Sequence, residues 1–137
     1  VSFESDIKKI RKRYMRDLTD ATEATLFYLT EQVIKGTPVD TGRAKANWQA
    51  TINRPANGTV TSNDTSGRDS SGKTGKDAQV VITNAVGKVY HLTNNVPYIG
   101  ILEFVPNYSK QMPHGWVRKA VKKFKKVYRQ NLKAVGL

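Results

Sequence analysis

Three sets of residues in this sequence are of types that can do chemistry. The run Gly67-Arg68-Asp69-Ser70-Ser71-Gly72-Lys73-Thr74 has the letters of a P-loop, whose backbone N–H groups and following helix N-terminus cradle phosphate. Such a loop needs an apolar strand before it and a helix after it. Here Thr61-Ser62-Asn63-Asp64-Thr65-Ser66 precede it, and Gly75-Lys76-Asp77-Ala78 and a strand-like run follow, with no apolar strand ending in Asp to hold magnesium. The context speaks against nucleotide binding. His91 and His114 lie in different segments, with no Asp or Glu at metal-ligand spacing, so neither a zinc site nor a hydrolase site is expected. His91 reads as a half-exposed strand residue and His114 as a loop residue. Asp40 and Glu103 are carboxylates set among turn and apolar residues; Asp40 is expected to cap its turn and Glu103 to pair with a nearby Lys or Arg. No catalytic set, cofactor site or metal site is expected, and the chain reads as a non-enzyme.

The elements around these residues follow from periodicity. Ile7, Ile10, Tyr14, Leu18, Ala21, Thr25, Leu29 and Val33 recur at steps of three and four, which predicts a long helix over 3–35, with Gly36 as a left-handed end and Pro38 barring continuation. Ala46, Trp48, Ala50 and Ile52 alternate with polar residues, as a half-buried strand does. Residues 54–78 are rich in Gly, Ser, Thr, Asn and Asp and read as a long flexible loop. Residues 79–85 and 88–93 are β-branched and apolar and read as two strands joined by a tight turn. Residues 98–104 fit either a short helix begun by Pro97 or a fourth strand. Val117, Ala120, Val121, Phe124, Val127, Tyr128 and Val135 give 116–135 the apolar side of a final helix. The expected fold is α+β: N- and C-terminal helices packed on a small, mainly antiparallel sheet, in a single domain of 137 residues. Trp48, Tyr98 and Leu102 are expected in its core.

Composition narrows the setting. There is no cysteine, so disulfides and thiol chemistry are excluded. No apolar run approaches the ~20 residues of a membrane span, and the first residues lack the basic and apolar regions of a signal peptide, so cytoplasmic synthesis is expected. The formal net charge is +12, which predicts attraction to polyanions or acidic proteins. From Lys110 to the end there is no acidic residue. Arg118, Lys119, Lys122, Lys123, Lys125, Lys126 and Arg129 there form a candidate face for DNA or an acidic partner, through backbone contact rather than base reading. The alternative is an ordinary solvated helix face. A small nucleic-acid-binding protein using this helix is therefore one functional reading.

A second reading comes from two short segments. Thr37-Pro38-Val39-Asp40-Thr41-Gly42-Arg43 with Trp48, and Asn95-Val96-Pro97-Tyr98, Leu102-Glu103-Phe104 and Ser109-Lys110-Gln111-Met112-Pro113-His114-Gly115, together resemble the tail-completion, or neck, family of tailed bacteriophages. Pro38, Asp40, Thr41, Gly42, Arg43, Trp48, Pro97, Tyr98, Leu102, Glu103, Gln111, Pro113 and Gly115 carry the resemblance. Where the family often has Gly soon after the Glu-aromatic pair, Val105-Pro106-Asn107 stand here. The resemblance implies a structural virion protein, a ring subunit (usually six-fold) that joins the DNA-filled capsid to the tail. Its implied partners are copies of itself, the head connector and the tail tube or tail terminator, with nonspecific DNA contact in the channel and no membrane. The loop at 54–78 and the sheet edge are the expected contact surfaces. Tail termination and head closure are kindred roles.

Overall fold

The apolar repeat over the first third of the chain forms one helix, α1 (Phe3–Gly36). The computed structural model describes residues 2–61 and 68–137, with side chains for all of these except 68–72. The Ser2 hydroxyl accepts the Ser5 N–H at 3.1 Å, and Glu4 and Asp6 lie in the first turn, where they complement the helix dipole. Then follow α2 (Arg43–Ala46), β1 (Trp48–Ile52), α3 (Arg68–Ile82), β2 (Tyr90–Asn94), α4 (Ile99–Phe104), α5 (Trp116–Lys122) and α6 (Phe124–Ala134). The class is α+β, as expected. The strands pair antiparallel, with Trp48 opposite Asn94 and Ile52 opposite Tyr90. α5 and α6 pack along α1, and α3 packs on both α1 and β1. No helix among the described residues is long and apolar enough to cross a membrane.

Residues 68–78 are not loop, and 79–85 are not strand: 68–82 belong to α3 and 83–85 follow it in a turn. Thr74, Ala78 and Ile82 recur every fourth residue and are buried where α3 meets its neighbours. Small side chains let the helix approach closely, and that packing outweighs Gly72 and Gly75, each costing ~1 kcal/mol relative to Ala. Residues 54–61, expected in the same loop, are tied to the body. Asn47, fully buried, accepts the Val60 N–H at 2.6 Å and donates to the Val60 carbonyl at 2.9 Å. Gln49 and Asn95 both donate to the Gly58 carbonyl, at 2.9 and 3.1 Å. The remainder of that loop, 62–67, lies outside the described residues.

Other boundaries shift for local reasons. Gly36 does not end α1 in a left-handed conformation; a Cβ there would sit 2.7 Å from Trp116 Cδ1, so close approach is what requires glycine. Thr37 ends the helix with extended backbone. Ala46 is in α2, and the strand begins at Trp48. Residues 98–104 resolve to helix rather than strand. Pro97 does not open that helix but lies in the turn closed by the Ile99 N–H on the Val96 carbonyl at 3.1 Å. The expected single helix over 116–135 bends at Lys123, whose ψ of −6° tightens the turn so that α5 and α6 each face α1.

Val33, Ile34, Ala44, Trp48, Leu102, Trp116 and Ala120 form the core. Trp48 and Leu102 are there as expected, while Tyr98 is half-buried at its edge with Leu92, Ile99 and Met112.

Candidate functional site

The end of α1 fixes the first wall of the site. Thr37 donates its hydroxyl to the Val33 carbonyl at 2.8 Å and accepts the Trp48 indole N–H at 2.8 Å. Trp116 donates to the same Val33 carbonyl at 3.0 Å. The chain leaves this anchor as Pro38-Val39-Asp40 and turns at Gly42, whose φ of 85° few side chains tolerate. Asp40, expected to cap the turn, has no hydrogen bond or ion pair among the described residues; Thr41 caps it instead, accepting the Arg43 N–H at 3.3 Å. Asp40, Thr41 and Arg43 are exposed.

The second wall is α4 and the segment after it. Tyr98 and Leu102 face the first wall, and Asn107 takes φ 60°, the conformation a glycine would supply at low cost. Gln111 then reaches across: its carbonyl accepts the Val39 N–H at 2.8 Å and its amide donates to the Val39 carbonyl at 2.6 Å. Between the walls is an open cleft of about 620 Å³, lined by Pro38 to Ala44 on one side and Tyr98, Leu102, Tyr108 and Lys110 among others on the opposite one.

Glu103 does not face this cleft chemically; it builds the wall behind it. The side chain is buried, and its two oxygens accept the N–H groups of Val117 and Arg118, each at 3.1 Å, capping α5 from outside the helix. The Arg118 guanidinium adds a 3.1 Å ion pair to the same carboxylate and lies 4.7 Å over the Phe104 ring. Glu103 thus pairs with an arginine, as expected. Gly115, at φ 83°, starts α5 and donates its N–H to the Glu103 carbonyl at 2.8 Å. Pro113 and His114 are exposed on the connecting turn, and Pro97 is exposed before α4. His91 is half-buried on β2.

Comparison with known proteins finds no matching family model, no similar curated protein and no similar solved structure.

The remaining candidates are scattered. Residues 68–74 of the P-loop pattern are already helix, so their backbone forms no phosphate cradle; Gly67 lies outside the described residues. Among the described residues no group of three His, Asp or Glu side chains could hold a metal ion. Arg118, Lys119, Lys122, Lys123, Lys125, Lys126 and Arg129 are all exposed, and Arg118 is also engaged by Glu103. Sequence reasoning missed Trp116 and Thr37 as the clasp behind the cleft, and Tyr108 as part of its lining. Nothing in local spacing marks them, because each acts through a residue distant in the chain. The cleft offers shape, hydrogen-bonding groups and charges of both signs, which is the equipment of a contact surface.

Proposed function

We propose that this chain is a structural subunit of the bacteriophage neck, a tail-completion protein forming a six-fold ring between the DNA-filled capsid and the tail. The observation that carries the reading is convergence. The two segments that resemble the family's signatures are far apart in sequence, yet they face each other across one cleft and are joined by Gln111 and Val39. Exposed Asp40, Arg43 and Lys110 rim that cleft and suit a head-to-tail contact with a different face of the next subunit. The ring's other neighbours are the head connector and the tail tube or terminator, and its positive charge suits DNA passing without base reading. The place of action is the virion's head–tail joint, after assembly in the host cytoplasm. Immunogold electron microscopy of purified virions with antibody to this chain tests it: label at the joint supports the reading, and absence from virions rejects it. Label on an isolated tail end or on a closed head moves the role to tail termination or head closure. Of the loop expected at 54–78 as a contact surface, residues 68–78 are helix and carry the buried Thr74 and Ala78.

A second reading has its own observation. Lys119, Lys122, Lys123, Lys125, Lys126 and Arg129 are exposed and, among the described residues, none is in an ion pair. As a nucleic-acid-binding face they give affinity that falls linearly with salt on a log–log plot. Changing Lys122, Lys123, Lys125 and Lys126 to Glu should abolish that affinity; unchanged binding rejects the reading.

A further inference from the structure

Ser2 and residues 3–16 of α1 stand clear of the other described elements, almost every one of them exposed. At ~1.5 Å per residue, Phe3 to Arg16 make an arm about 20 Å long. On it Phe3, Ile7, Ile10 and Tyr14 follow at steps of four, three and four, and are 80%, 42%, 67% and 51% exposed. Two apolar positions in seven is the seam of a coiled coil, narrower than the stripe of a core-facing helix or of a helix lying on lipid. Glu4 and Arg11 border one side of the seam, and Asp6 and Arg13 the other. None of these four is in an ion pair among the described residues. The basic residues that stay off the seam, Lys8, Lys9 and Lys12, point to the outer face and keep a lone arm solvated.

We propose that the arm pairs antiparallel with the same arm of a second copy of this chain. Charge order along the arm selects that occupant and that direction. With Ile7 set against the second copy's Ile10, Phe3 falls against its Tyr14, and each layer occurs twice by the two-fold symmetry. Glu4 then faces the second copy's Arg11, and Asp6 its Arg13, so four ion pairs form. A parallel pair on the same seam matches Asp6 with Arg11 alone, giving two. It also sets two bodies of high positive charge side by side, whereas the antiparallel pair holds them at opposite ends. The helix is already formed and attached to a folded body, so pairing orders side chains rather than backbone.

This pairing does not rest on the neck reading. A two-fold pair has identical halves, while a ring between head and tail presents two unlike faces, so in a neck subunit the pair is a state of the free chain that opens before ring closure.

Sedimentation equilibrium of the full chain tests the proposal. The expected result is a reversible monomer–dimer equilibrium. Ile7→Asp with Ile10→Asp should raise its Kd at least ~10-fold, with the circular dichroism and thermal unfolding of the body unchanged. Glu4→Arg alone and Arg11→Glu alone should each weaken the dimer severalfold, and an equimolar mixture of the two should restore wild-type affinity. A chain monomeric at every concentration overturns the proposal, including one whose arm instead binds phosphatidylserine vesicles or an acidic peptide. So does a dimer untouched by the Ile7 and Ile10 changes. Unaltered association of Glu4→Arg overturns the antiparallel direction, since that direction sets Glu4 against Arg11 of the second copy. Dimers without virion label sink the neck reading alone; label at the joint from a chain that never dimerises sinks the pairing alone.

Discussion

The two halves of α1 carry the same apolar period and meet opposite fates. In the C-terminal half Ala21, Thr25, Val33 and Ile34 are buried. Tyr128 meets Thr22 at 2.8 Å, Asn131 donates to Thr25 at 3.0 Å, and the Val33 carbonyl accepts from both Thr37 and Trp116. In the N-terminal half Phe3, Ile7, Ile10 and Tyr14 are bare. The period states which side of a helix can be covered. Whether it is covered depends on what other segments bring to it, and among the described residues the C-terminal half alone has such neighbours.

That contrast can be broken most sharply at Trp116. Trp116→Ala removes a buried indole and its bond to Val33, and is expected to cost ~3–5 kcal/mol in urea unfolding. Glu103→Ala uncaps α5 and releases Arg118, for ~2–3 kcal/mol in the same measurement. Gly36→Ala forces a methyl against the Trp116 ring; even after the better helix propensity of Ala it should lose ~1–2 kcal/mol, and Trp116→Phe should soften that loss.

A smaller effect is expected at Tyr90, whose hydroxyl meets Thr30 at 2.9 Å. Burial raises its pKa above the usual 10.0, and the Thr30 hydrogen bond offsets this in part. The neutral form is the one the fold favours. Stability from this group is therefore complete below the unfolded tyrosine's pKa and is lost as pH rises from there through the raised folded value. Tyr90→Phe should cost ~1 kcal/mol at neutral pH, and its stability should fall less steeply than the wild type's at alkaline pH; equal slopes contradict the assignment. The smallest effect belongs to the arm. Phe3→Ser should change the monomer's stability by no more than ~0.5 kcal/mol, and a larger change would mean that the arm has cover within the chain.

What could be read in the sequence was what repeats or what is large. The steps of three and four gave α1 and the helical character of 116–135, and the alternation after Asn47 gave β1. Trp48 and Leu102 belonged in the core by size and polarity, and Glu103 needed a cation because a carboxylate among apolar residues does. The cleft's two walls were named as segments, but their meeting through Gln111 and Val39 depends on a long-range path that no local pattern encodes. α3 was hidden for a different reason. Its buried face is Thr74 and Ala78 as much as Ile82, so its contribution is closeness of approach rather than apolar area, and Gly and Ser around it read as loop. Gly36 misled in the same way, since a glycine at a helix end has two uses and only the position of Trp116 decides between them.

Among the described residues, carboxamides hold several of the loops. Asn47 and Gln49 hold the segment after β1, Asn53 the start of β2, Asn94 the end of α2, and Gln111 the turn at Val39. None of these groups titrates, and none carries a charge for counterions to screen. A chain with such an excess of cations will change its associations with every shift of ionic strength or acidity. The clasp between Gln111 and Val39 keeps its shape through those shifts, because it is electrically neutral, unlike the Glu103–Arg118 pair behind it.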